Sequence, residues 1–503
     1  MDPQSRRQAV SPAAPDGGYA WFILASCFLV FGLTFGVIKS FGVFYVEIHQ
    51  YFQTSAAGTS WITSIAVATV HIIAPLASAL SARFSHRSVV MAGGLMCSAA
   101  VVFGAFARNL TQLYITVGFL NGFGYALTWT PTVTMLGLYF DKKRPVANAL
   151  ASSGECIFTF VLTPLFQLLI GCFSWRGALL ILGGLQLNLC VCGILLRPLK
   201  ATRDVNHVGE VRKEEGLPLS TEESDETQKS FKIESKPDMS EKPEQEEIKS
   251  RFDELREKFK LTKDSSRSSK RTGLRTSVLH YVDYTLITHA PFMVYSMFGV
   301  FAALGFFAPS LFLVPYARSK GMEEYRAAAL MSVSAVTDLF GRVFFGWVAG
   351  LRLVETVQQL AVTVMLLGAI LLLCPLASTF SELVAFSAAH GLVFGATVAV
   401  HITVLPEVVG VHRLGSALGF FMLMRSSGGL LGPPIAGFFI DTMESYGAGF
   451  LLSGAALIIS ALFLLILHQM NRRSRSTAAE RHDSLKQTKW FNVSSGMKSE
   501  GWT

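Results

Sequence analysis

The stretch FGLTFGVIKSFGVFY, Phe31 to Tyr45, carries one charge, Lys39, inside a run that is otherwise apolar, small or hydroxylated from Tyr19 to Val46. A helix needs roughly 20 apolar residues to cross a bilayer, so this run reads as a membrane span. A lysine within it requires a partner, a water-filled cavity or a surface near enough for its stem to reach. Eleven further runs of similar character follow. The twelve expected spans cover 19–46, 59–82, 88–107, 111–138, 147–171, 177–197, 292–317, 327–350, 355–376, 381–405, 414–440 and 446–468.

The composition agrees with this count. Of 503 residues, 51% are hydrophobic and only 16% charged, against about 25% charged in a soluble domain. Residues 1–18 are polar, and the apolar run after them is too long for a cleaved signal, so the first helix is expected to stay and direct insertion. Arg83 and Arg87, then Lys142, Lys143 and Arg144, flank spans on one side, together with the central segment and the arginine-rich tail. The bias of Lys and Arg toward cytoplasmic loops puts both termini in the cytoplasm. Arg318, Lys320 and Arg326 dissent from the opposite side. The net charge of +8 is spread along the chain, so it reads as topological bias and nucleic acid is not an expected partner.

Seven cysteines, Cys27, Cys97, Cys156, Cys172, Cys190, Cys192 and Cys374, lie in or beside spans and read as buried apolar thiols. No motif calls for a metal or another cofactor. GxSxG, HExxH and P-loop patterns are absent, which argues against a hydrolase or an ATP-driven pump.

Six spans, a polar segment and six spans suggest a duplicated carrier. The expected organisation is a tail at 1–18, one half at 19–198, a disordered linker at 199–274, a second half at 275–468 and a tail at 469–503. RPVANALASSG (144–154) and RLGSALGFFML (413–423) echo one another at corresponding places in the two halves, as parallel repeats would.

Span 8 carries the strongest candidate site. SAVTDLFGRVFFGW puts Asp338 and Arg342 four residues apart, on one helical face. Ionisable groups at such depth face a cavity or each other; spacing alone leaves a structural ion pair and a functional site equally open. Lys39 poses the same choice, because its stem is long enough to snorkel toward the end of span 1. Glu155 in span 5 and Arg425 in span 11 are two more charges within spans, while His71, His390 and His401 read as hydrogen-bonded helix residues. Depth counted along the helices places Glu155 within about 3 Å of the level of Arg342. If spans 5 and 8 meet across the interface between halves, as in a major facilitator, Glu155 is expected to face span 8 and approach Arg342 in one state of a transport cycle; the alternative is that it turns toward the cytoplasmic vestibule.

Several blocks resemble the monocarboxylate transporter family. DGGYAW (16–21) and YFDKKRPVANALA (139–151) look like its two signatures, and FSWRGALLILGG (173–184), LLRPL (195–199) and LGPPIAGFFID (431–441) match further blocks. The resemblance implies an all-α membrane protein of major facilitator fold, with twelve transmembrane helices in two six-helix halves. It implies a plasma-membrane carrier of small organic acids, often with a proton, and in several members a single-span immunoglobulin-like accessory subunit. It also gives Arg342 to the substrate carboxylate, Asp338 to proton coupling, Lys39 to accepting proton and substrate, and Phe394 to limiting substrate size. Two features depart from the pattern. Ala82 stands where the general facilitator signature has an acid, and GECIF (154–158) with LGFFAPSLFLVPYA (304–317) lies nearer the type-7 carriers than the lactate carriers.

The chemistry suits these residue types. A small carboxylic acid titrates near ~4 and is ionised at neutral pH. The membrane potential opposes its anion by about 2.3 kcal/mol per 100 mV, and a co-transported proton removes that opposition. The expected function is thus secondary active, proton-linked transport of small monocarboxylates. The alternative is a carrier without proton coupling for a ketone body, zwitterion or other organic acid, favoured by Glu155, whose extra carboxylate can hold an amine.

Overall fold

In hydrocarbon only internally bonded backbone is tolerated, so each long apolar run winds into a helix. The computed structural model describes residues 17–140, 143–197, 286, 288–350, 355–410 and 414–499. The expected linker at 199–274 lies outside the described residues, as do Asp16, Lys142 and Arg413.

Among the described residues nine helical stretches are long and apolar enough to cross a membrane. One of them, Val146–Leu195, holds two passes, because Ser174 (φ 64°, ψ 165°) breaks the helix between the expected spans 5 and 6. Spans 4 and 11, whose helices include Asn121–Tyr139 and Leu414–Met443, complete the expected twelve.

Three spans differ from simple rods. Span 1 is α-helical over Ala20–Phe31, takes a π-helical turn at Gly32–Gly36, resumes at Val37–Ser40, and continues as Gly42–Phe52 beyond the expected end. Span 7 divides into Ala290–Phe306 and Ala308–Ser319. The joint at Phe307 precedes Pro309, which has no N–H to continue the ladder. The last helix runs from Gly447 to Ser499, well past the expected boundary at 468. The cysteines are all free; Cys190 is half-buried and Cys172 exposed, so the expectation of a buried thiol fails at Cys172. Its position beside the break at Ser174 accounts for that exposure.

The described residues form one compact unit. The two six-helix halves meet chiefly where span 2 (Ala56–Phe84) packs on span 11 and span 5 on span 8 (Glu324–Gly350). Aromatic side chains from both halves, including Phe44, Phe166, Tyr295 and Phe312, share one buried core.

At the end remote from the termini, polar contacts join the halves. Arg318 pairs with Glu47 of span 1 at 3.1 Å and with Glu324 at 2.6 Å, and Glu324 accepts from Gln167 of span 5 at 3.0 Å. Asp441, ending span 11, accepts the backbone N–H groups of Ala56 and Ala57 at 2.7 and 3.0 Å. A carboxylate at a helix N-terminus meets unsatisfied donors and the positive end of the dipole.

Close backbone approach holds spans 8 and 10 (Phe380–Val409) together. A Cβ on Gly395 would overlap the Asp338 carbonyl and crowd its carboxylate. Gly395→Ala should therefore lower the melting temperature of the purified protein, with a cost of about 1–3 kcal/mol for overpacking. Gly419→Ala, where a new Cβ meets nothing within 4 Å, should leave it within error. Equal melting of the two variants would contradict this packing.

Candidate functional site: a charge cluster between the halves

The π-helical turn of span 1 lies directly before Lys39 and against span 5. A Cβ on Gly36 would lie 3.2 Å from the Glu155 carbonyl, and one on Gly32 would overlap the Phe158 ring. Small residues thus let span 1 approach span 5 closely enough for their charged side chains to meet. Ser40 and Thr163 continue the contact with a 3.0 Å hydrogen bond.

Lys39 Nζ lies 2.8 Å from Glu155 Oε1 and 2.8 Å from Asp338 Oδ2. Arg342 Nε donates to Asp338 Oδ1 at 2.8 Å, while Nη2 donates to Asp338 Oδ2 at 3.1 Å and to Glu155 Oε2 at 3.0 Å. Arg342 Nη1 donates to the Ser152 carbonyl at 3.2 Å. The side chains of Asp338 and Arg342 are each 3% exposed, Glu155 13% and Lys39 18%. Lys39 is thus held by carboxylates from both halves rather than reaching for the end of its helix.

Glu155 sits on the face of span 5 that meets span 8, within hydrogen-bonding distance of Arg342. Both Lys39–Asp338 and Arg342–Glu155 cross the interface between halves. Buried charges of this kind are tolerated only when paired and hydrogen-bonded. Two acids and two bases satisfy one another, and the cluster carries no formal net charge.

Phe394 completes the group, with Lys39 Nζ 4.4 Å from the centre of its ring. The five residues singled out in the sequence, Lys39, Glu155, Asp338, Arg342 and Phe394, therefore meet in one place. Beside them lies a small crevice lined by Lys39, Phe306, Ser334, Asp338, His390 and Phe394 among others. His390 has a wider setting than a helix hydrogen bond: it faces Ser334 Oγ at 3.4 Å and stacks between Phe386 and Phe394. The contacts at the remote end, from Arg318, Glu47, Glu324, Gln167 and Asp441, went unrecognised in the sequence. Their only signal is Arg318, a cation on the side where the charge bias does not expect one.

The Major Facilitator Superfamily profile matches residues 24–358 and 352–501. Monocarboxylate transporter 2 of Homo sapiens is 34% identical over 477 residues, which cover 94% of this chain and 90% of that protein. Monocarboxylate transporter 7 of Homo sapiens is 35% identical, with 90% and 87% covered, and monocarboxylate transporter 12 of Mus musculus is 36% identical, with 92% and 88% covered. These identities do not separate the type-7 carriers from the others. The crystal structure of a point mutant of the nucleoside transporter NupG superposes with a TM-score of 0.58 at 12% identity, covering 90% of this chain and 98% of that one. At that identity the likeness speaks for the fold alone. The chain belongs to the Major Facilitator Superfamily and, within it, to the monocarboxylate transporter family.

Proposed function

We propose that this protein is a secondary active carrier of small monocarboxylates that works by alternating access, is coupled to protons and acts in the plasma membrane with both termini in the cytoplasm. The observation that carries this reading is the four-charge cluster bridging the halves beside a compact crevice. The names of the relatives support the cargo class.

On this reading the end clasped by Arg318 and Asp441 is the outer one, and the structure represents a carrier closed toward the outside. A proton added to Glu155 or Asp338 removes one negative charge and weakens an ion pair that ties the halves. A substrate carboxylate can then replace the neutralised acid at Lys39 or Arg342. Binding both proton and anion leaves the cluster's charge balance unchanged, so the halves reorient without moving net charge through the field. An accessory single-span immunoglobulin-like subunit belongs to the same proposal, and its co-expression should raise the amount of protein at the cell surface.

The second reading is transport of a zwitterion, ketone body or other organic acid without proton coupling. It is favoured by Glu155, which neutralises the cluster and offers a carboxylate to an amine. Uptake with and without an inward proton gradient separates the two readings: stimulation by external acid supports coupling, and indifference supports the second.

Arg342→Ala leaves two buried carboxylates with one cation, so uptake of labelled lactate should fall to background while surface biotinylation still detects the protein. Wild-type uptake at normal surface amounts would remove Arg342 from the site. Lys39→Gln should likewise abolish uptake or its response to pH, whereas a lysine serving only the helix end would tolerate the change. Glu155→Gln leaves Lys39, Asp338 and Arg342 facing a neutral amide, and its uptake should respond less to external acid than wild type. An unchanged pH profile in this variant would take Glu155 out of the coupling step.

A further inference from the structure

The cation assigned to the substrate by resemblance has little left to offer here. Arg342 already spends Nε, Nη1 and Nη2 on Asp338, Glu155 and the Ser152 carbonyl. A guanidinium has five N–H donors, so no edge of it remains free for a carboxylate to grip with both oxygens. Lys39 is held between two acids as well. With no net charge, this cluster does not by itself attract an anion.

Arg425 is different. It lies within the helix Leu414–Met443 and is half-buried, and among the described residues its guanidinium has neither an ion pair nor a hydrogen bond. Its Cζ sits 5.8 Å from the centre of the Phe306 ring, which lines the crevice. Phe306 meets Phe394 edge-on at 5.6 Å, and Phe394 in turn lies beneath Lys39. The two rings therefore make an apolar wall with Arg425 at one end and the charge cluster at the other.

His71, Tyr295, His401 and Glu155 lie within electrostatic range of Arg425. His71 Nδ1 is 2.8 Å from the Val67 carbonyl, and the Tyr295 hydroxyl donates to the His401 carbonyl at 2.9 Å. Glu155, the acid of this group, is engaged by Lys39 and Arg342. A cation at this depth without a counterion is costly, and a bound anion relieves that cost.

We propose that Arg425 is the anion-docking residue for substrate in this state: it takes the carboxylate of a monocarboxylate whose apolar body lies along Phe306 and Phe394. With Arg425 counted, the central site carries one net positive charge, which one monoanion neutralises. The favoured cargo is then an acid with a larger apolar body than lactate. This inference rests on the carrier reading above.

The test uses the full-length protein in cells with labelled lactate and labelled phenyllactate, a pair that differs by one phenyl group. Wild type should carry phenyllactate with the lower KM. Arg425→Gln should raise the KM for both acids by about tenfold or more, the size expected for one charge-assisted hydrogen bond. Arg425→Lys, which keeps the charge, should stay within a few-fold of wild type. An unchanged KM in Arg425→Gln overturns the proposal while leaving the carrier reading intact. Wild type that carries lactate but not phenyllactate overturns the part that concerns the apolar body. If wild type carries neither acid, the carrier reading fails and this inference with it. Should Arg425→Gln be retained inside the cell, melting of the purified proteins is read instead. Phenyllactate should then raise the melting temperature of wild type and not of the variant, and equal shifts overturn the assignment.

Discussion

An unpaired charge in a low-dielectric interior is costly, and this constraint organises the centre of the molecule. Lys39, Glu155, Asp338 and Arg342 satisfy one another over distances of 2.8–3.1 Å. Removing one partner of such a set leaves an uncompensated buried ion, typically at a cost of about 3–5 kcal/mol. Because the partners come from spans 1, 5 and 8, pairing also fixes how those helices are rotated and how deeply they sit. The aromatic wall follows from it, since Lys39 rests against Phe394 and Phe394 against Phe306.

The end of the bundle that holds Arg318 and Asp441 is clasped by polar contacts. Arg318 and Asp441 make contacts on the other half that include charge on charge and charge on a helix terminus. The central cluster also crosses between halves, but its members have alternative partners within reach of one another. Packed interfaces favour discrete arrangements over continuous deformation. A clasp that is either made or broken, beside a cluster that can exchange partners, has that character.

Much of the fold was legible because hydrocarbon imposes one backbone solution and a minimum length, and each apolar run declares itself. The central charges were legible for a related reason: Asp338 and Arg342 stand out against their surroundings, and their spacing of four residues puts them on one face. Depth counting along spans 5 and 8 brought Glu155 level with Arg342. Other features were hidden because they depend on relations between distant segments. Nothing near Arg318 in sequence shows that Glu47 will reach it, and nothing around Asp441 points to the first turn of span 2. That Arg425 has no counterion among the described residues depends on every helix around it, and no local pattern reports it. Span 1 looked like one continuous rod because a π-helical turn has no strong sequence signature beyond its glycines.

That turn, Gly32–Gly36, gives span 1 one spare residue of winding just before Lys39. An α-helix advances 1.5 Å per residue and turns about 100°, so moving the extra residue along the helix swings the side chains it passes by about that angle. The bearing of the Lys39 ammonium is then set by where along the backbone the slack is stored. Two glycines bound the segment and another, Gly42, follows it, so no Cβ at those positions obstructs rewinding. A lysine mounted in this way can trade one carboxylate for another by local torsion, while the remainder of span 1 keeps its place in the bundle.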